Sequence, residues 1–193
     1  TLISTVDQLP TAAAIAGNDG TAYLELARTA WQKNDNNKAE QAIRDGYQTV
    51  NDKITYLLAA ASIAKDTQHL TASLFLDGQA LYLAENDTSR YQAVRAEVGA
   101  RLYSAAQTPD DINMRELERL NQSIPDFQQP DLFDIMTVQI LVTQKRLPLA
   151  QAAYNRLSDA TTRLPEAYLV HGELLLAQGN ADKARKEWKE VLQ

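Results

Sequence analysis

PEAYLVHGELLLAQGNADKARKEWKEVL, residues 165–192, is the stretch on which the architecture turns. Pro165 opens it, as a residue without an N–H fits the first turn of a helix, where that group has no partner to lose. Gln178-Gly179-Asn180 interrupts it, and Gly179 suits the left-handed conformation that commonly ends a helix. Two helices follow from this punctuation. Upstream the same unit returns: Leu141 and Leu175, Ala150 and Ala184, and Tyr154 and Trp188 are each 34 residues apart. In the N-terminal part Tyr23, Ala27 and Ala39 meet Tyr56, Ala60 and Ala72 at an offset of 33. A repeat period in this range marks a helical solenoid.

The rest of the pattern agrees with helices. Only 7 Gly and 6 Pro occur in 193 residues, and 45% of the chain is hydrophobic, enough for a real core without disulfides or metals. Residues 1–19 read as a lead-in, with Pro10, Gly17 and Asn18 as breakers. Tyr23, Leu26, Ala27 and Ala30 then recur at spacings of three and four, the signature of one buried helical face. That helix is expected to stop near Asn34, and Asn34-Asp35-Asn36-Asn37 supplies turn and cap chemistry before a helix carrying Ala39, Ala42, Ile43 and Tyr47. Helices joined so tightly lie antiparallel. A second pair starts at Asp52, an N-cap candidate, breaks at Asp66-Thr67 and continues over Leu70 to Leu83.

Between Asn86 and Gln129 the rhythm loosens. A long helix is expected from about Ser89 to Ala106, then one opened by Pro109-Asp110-Asp111 through Leu117 and Leu120, then a loop bracketed by Pro125 and Pro130. From Ala72 to Ala150 is 78 residues, so this middle pair departs from the repeat and is expected to have longer helices and a longer loop. The predicted hairpins lie near 20–50, 51–85, 87–123, 131–160 and 164–193, one domain in all. Because the chain opens on Thr1 and stops within a helical pattern at Val191-Leu192-Gln193, it is expected to belong to a longer protein.

Tyr168, Gly172, Leu175, Gly179-Asn180, Ala184 and Trp188 fall at the spacings of the tetratricopeptide-repeat consensus, and the final unit resembles that family. Residues 20–85 and 131–160 are similar to it more sparsely. The resemblance implies an all-α fold, a right-handed superhelical α-solenoid of about five antiparallel hairpins with an irregular middle one. It implies that Gly172 and Ala184 let two helices approach closely, and that Tyr168 and Trp188 fill spaces between successive hairpins. It also implies that the first helix of each hairpin lines a concave groove. The groove residues then expected are Leu24, Arg28 and Trp31; Leu57, Ala61 and Lys65; Ile135, Gln139 and Val142; Leu169, Glu173 and Leu176. Family members that grip chaperone carboxyl termini use repeated Lys and Asn in this groove, a ladder that Leu24, Leu57 and Leu169 interrupt here. Trp31 has two readings: an aromatic anchor for a partner, or a cover for the neighbouring hairpin.

Little in the sequence suggests reaction chemistry. The two histidines, His69 and His171, are 102 residues apart, and no Glu-x-x-His element accompanies them, so neither a metal nor a cofactor is expected. The acidic residues Asp110-Asp111, Asp126, Asp131 and Asp134 lack the alternating ligands and glycine turn of a calcium loop. Gly17 to Gly20 lacks the Lys of a phosphate-cradling loop. Arg115, Glu116, Glu118 and Arg119 read as a solvated helix face. A net charge of -6 and scattered Lys and Arg leave nucleic-acid binding without its electrostatic source. No apolar run nears the ~20 residues of a membrane span. Absence of cysteine fits a reducing or an oxidising compartment alike.

The function expected is therefore non-catalytic: a protein-interaction module presenting its groove to a peptide or protein within a larger assembly. The alternatives are an accessory helical domain of a larger enzyme or transporter, or a peptide-sensing regulatory domain. Self-association through an uncapped C-terminal end is a further expectation, since repeat stacks need a polar terminal helix to shield their last apolar face.

Overall fold

Local cap chemistry divides the chain where the sequence places the breaks. Asp35 accepts from the Lys38 N–H at 3.2 Å and Asp52 from the Thr55 N–H at 3.1 Å, each starting a helix by satisfying one of its open N–H groups. The computed structural model describes residues 20–85, 87–108, 112–123 and 131–191; among these there are ten α-helices and no strand. The helices are α1 (Thr21–Gln32), α2 (Asn36–Thr49), α3 (Lys53–Asp66), α4 (Leu70–Ala84), α5 (Tyr91–Ala106), α6 (Met114–Ser123), α7 (Asp131–Thr143), α8 (Leu147–Tyr154), α9 (Pro165–Ala177) and α10 (Ala181–Glu190). The expected lead-in over 1–19, the Pro109-Asp110-Asp111 opening and the loop between Pro125 and Pro130 lie outside the described residues.

Four turns share one geometry. Asn34 (φ 57°), Gln68 (φ 67°), Lys145 (φ 57°) and Gly179 (φ 84°) are left-handed at their apices. After each apex an N–H reaches back five residues: Asp35 to the Ala30 carbonyl at 2.9 Å, His69 to Ala64 at 2.7 Å, Arg146 to Leu141 at 2.9 Å, Asn180 to Leu175 at 2.8 Å. These bonds close carbonyls that a helix end leaves open. Asn34 and Gln68 are 34 residues apart, as are Lys145 and Gly179, so both halves share one structural period. The 33-residue match of Tyr23, Ala27 and Ala39 to Tyr56, Ala60 and Ala72 is thus one residue out of register. In the register of the turns, Ala39, Ser73, Ala150 and Ala184 are equivalent, small and buried. Ala27, Ala61 and Gly172 are equivalent on the facing helices and are buried too. Small side chains at these facing positions let α1/α2, α3/α4 and α9/α10 close, while the buried Val138 holds the equivalent place in α7.

Gln68 and Lys145 are exposed and carry the strain of a left-handed backbone without packing in return. Gln68→Gly and Lys145→Gly are each expected to stabilise the fold by up to about 1 kcal/mol, read as a raised midpoint in urea. Asn34→Gly is expected to gain less, because Asn tolerates this conformation better.

The pairs α1/α2, α3/α4, α7/α8 and α9/α10 are closely packed hairpins. The segment 87–123 differs from the expected middle hairpin: α5 lies on α4 and α7, while α6 lies on α4. The reason is in α4, LTASLFLDGQALYLA, whose Leu74, Phe75, Leu76, Ala80, Leu81 and Ala84 bury every side of the helix. A helix apolar all round needs cover all round, and α6 provides the outer cover. It is tied there by the Asn113 N–H donating to Thr71 Oγ1 at 2.9 Å and by Gln144 Nε2 donating to the Ile112 carbonyl at 3.3 Å. Arg119 on α6 pairs with Glu116 at 2.7 Å and reaches Glu40 on α2, so this face does more than meet solvent. Phe133 of α7 packs where a Cβ on Gly78 of α4 would lie 2.9 Å away. α7 therefore joins two cores, giving Phe133 and Ile140 to one and Ile135, Val138 and Leu141 to the other.

In the last hairpin the Trp188 indole lies on Gly172, with Nε1 donating to the Leu169 carbonyl at 3.2 Å. Trp188 thus packs within its own hairpin, where the consensus implied filling between hairpins. Tyr154 of α8 makes the inter-hairpin contact instead, stacked on His171 of α9 with centroids 4.1 Å apart and planes at 9°. The outward residues of α10 are charged, among them Lys183, Arg185, Lys186 and Lys189.

Candidate interaction groove

The odd-numbered helices stand side by side, with α1 on α3, α5 on α7 and α7 on α9. Two clefts open on this face, separated by α5. One, of about 490 Å³, lies between α3 and α5 and is lined by Thr55, Leu58, Ser62, Ala93 and Arg101. The other, of about 440 Å³, lies among α5, α7 and α9, with Arg95, Gly99, Tyr103, Met136, Gln139 and Glu166 around it.

Ion pairs fix the walls. Arg90 donates to Asp52 and to Thr55 Oγ1, both at 2.9 Å, and holds the Asp52 carboxyl below its usual range. Arg101 brackets Asp77 of α4, with Nε 2.9 Å from both carboxylate oxygens and Nη2 2.7 Å from Oδ1, and also pairs with Glu97 at 2.9 Å. Asp77 is fully buried, and burial pushes its carboxyl up to about 6 against the pull of Arg101. Arg95 of α5 pairs with Glu166 at the start of α9. Glu173, two turns further along α9, lies near Gln139 of α7; partial desolvation raises its carboxyl, and Gln139 draws it partly back.

The expected groove residues meet different fates. Leu169 (46% exposed) and Leu176 (50% exposed) are open, as are Glu173 and Lys65. Gln139 lines the second cleft. Leu24, Arg28 and Val142 are half-buried, and Arg28 pairs with Glu25 on its own helix at 3.4 Å. Four residues belong to the core instead. Trp31 is 2% exposed and stacks on His69 at 5.7 Å, so it covers the neighbouring hairpin and cannot anchor a ligand. Leu57, Ala61 and Ile135 are fully buried. For Leu57 and Ala61 the cause is the one-residue register error: the true equivalents of Leu24 and Arg28 are Leu58 and Ser62, which do line a cleft. Sequence reasoning also missed the α5 contribution of Arg95, Gly99 and Tyr103, since α5 belongs to the unit without a matching period.

Among the described residues no group of three or more His, Asp or Glu side chains is placed to hold a metal ion. Among them, too, no helix is long and apolar enough to cross a membrane.

Comparisons with protein-family models, with curated proteins and with solved structures find no match.

Proposed function

We propose that this chain is a non-catalytic, tetratricopeptide-like interaction module that binds a peptide segment of a partner protein along α5, α7 and α9. One observation carries this reading. Tyr103, Leu169 and Leu176 are three of the four large hydrophobic side chains that are exposed among the described residues, and all three stand on these odd-numbered helices. Glu166, Leu169, Glu173 and Leu176 follow the 3-4-3 spacing of a single helical stripe. The stripe borders the cleft: Glu166 lines it and pairs with Arg95 of α5, and Glu173 lies near Gln139 of α7, another lining residue. Apolar side chains left in water beside a cleft with paired polar walls are what a peptide-binding surface requires. The packed helices below hold that surface in place, which limits the ordering cost of binding.

The test is a selection from a random peptide library on the immobilised protein, followed by titration of the selected peptides. Leu169→Asp, on an exposed position, leaves helicity intact and is expected to weaken the selected peptides about tenfold or more. Peptides that bind wild type and Leu169→Asp equally would overturn the assignment.

A further inference from the structure

Elsewhere in the repeat, the places that Leu169 and Leu176 hold on α9 are covered by the hairpin that follows. Ten residues before each left-handed apex stands an aliphatic side chain: Leu24, Leu58, Ile135 and Leu169. Three residues before it stand Trp31, Lys65, Val142 and Leu176. Leu24 is half-buried, and Trp31 is buried against His69 of the second hairpin. Ile135 is fully buried in the core it shares with Ala167, Val170 and Leu174 of α9, and Val142 packs against that core. Lys65 is exposed, ahead of the unit that breaks the period. After the last hairpin Leu169 and Leu176 are both exposed. Seven residues apart, they lie about 10 Å from each other along one side of α9. The equivalent side of α7 is the one that packs on α9.

We infer that an amphipathic helix of a partner protein seats beside α9 as α9 seats beside α7, covering Leu169 and Leu176. This goes beyond the cleft reading above, with which it shares those two side chains. The internal interface supplies the pattern of the partner helix. To the core shared with α7, α9 brings Ala167, Val170 and Leu174, a small residue followed by two larger apolar ones at spacings of three and four, which is one face of a helix. Glu173 comes near Gln139 there, so the partner carries a hydrogen-bonding residue one place before its last apolar one. The segment is thus Ala-x-x-Val-x-x-Gln-Leu, docking by an apolar helical face. An extended strand would turn alternate side chains away from α9. A second copy of this chain fits less well. Pairing α9 with itself about a two-fold axis sets the two Glu173 carboxylates near each other between the leucines, where like charges oppose association. Among the described residues no other helix exposes two large apolar side chains to offer instead.

The probe is a fluorescein-labelled peptide, Glu-Ala-Glu-Lys-Val-Ala-Lys-Gln-Leu-Ala-Lys, locked as a helix by a lactam between its second Glu and the Lys four residues on, away from the docking face. Titrated by anisotropy, it is expected to bind wild type at least about tenfold more tightly than an unbridged analogue with Pro in place of the Ala after Val, which cannot hold the helix. Leu169→Asp and Leu176→Asp, both at exposed positions and checked for helicity by circular dichroism, should each weaken it about fivefold or more. Tyr103→Ser, on the cleft wall, should leave it unchanged, and wild type should sediment as a monomer. If the lactam and Pro peptides bind alike, if neither leucine matters, or if the lactam peptide does not bind, the inference is overturned. It is overturned too if wild type sediments as a dimer that Leu169→Asp dissociates, since a second copy is then the occupant. Library peptides that need both Leu169 and Tyr103, beside a lactam peptide that fails to bind, would leave the cleft reading standing and sink the helix alone.

Discussion

Trp31→Ala is expected to cost the fold about 3–5 kcal/mol, the range for truncating a large aromatic in a core. Trp31 is 2% exposed, ends α1, and stacks on His69 at the start of α4, so the indole bridges the first two hairpins. Its removal leaves a cavity between elements held by the tight Lys33-Asn34-Asp35 and Thr67-Gln68-His69 turns, which restrict any collapse into the space. The measurement is urea denaturation followed by circular dichroism, with the midpoint falling while the cooperativity is watched for separate melting of α1 and α2. A variant that keeps wild-type stability and loses peptide binding would restore Trp31 to the groove.

Arg101→Met is the second large effect, with a loss of about 3–5 kcal/mol, because it strands the fully buried Asp77 carboxylate without its partner. Replacing both, as Asp77→Leu with Arg101→Met, is expected to recover most of that loss, since a buried ion pair and an apolar pair of similar volume are often close in energy. The pH dependence has a definite sign. Burial raises the Asp77 carboxyl to about 6 in the fold, above its unfolded value, so the folded chain binds this proton more tightly. The stability contributed by the group is complete below the unfolded value of about 4 and is lost as pH rises through about 6. In Arg101→Met the carboxyl rises further, and the loss extends to higher pH. Denaturation midpoints at pH 5 and pH 7.5 for both proteins check this. A wild type that gains from Asp77 on going up in pH would contradict the burial argument, as would an Arg101→Met variant with unchanged stability.

The sequence made the hairpins legible because their punctuation is local. Asp35 and Asp52 cap, Gly179 turns left-handed, and Pro165 opens, each for reasons confined to a few residues. Register was harder. An alignment on residue types put Tyr23 on Tyr56, whereas the backbone repeat is fixed by the apex residues Asn34 and Gln68, whose left-handed state neither residue type announces as Gly179 does. That single step turned Leu57 and Ala61 into expected groove residues, although their side chains point into the core.

Long-range arrangement was the least legible. The all-round apolarity of α4 signals a need for cover, and nothing local says that α6 supplies it in place of pairing with α5. The buried Asp77–Arg101 pair, 24 residues apart, and the cleft walls on α5 depend on that arrangement, so they too emerge only from the packing. The exposure of Leu169, Glu173 and Leu176 was easier to read, as they sit in the best-patterned unit.

Peptide binding along α5, α7 and α9 is read out by an amide chemical-shift map of the 15N-labelled protein titrated with the tightest peptide from the library selection. The predicted result is a set of perturbations confined to α5, α7 and α9 and centred on Tyr103, Gln139, Leu169, Glu173 and Leu176. Perturbations centred instead on the charged face of α10, or on the outer surface of α2 and α6, would contradict it.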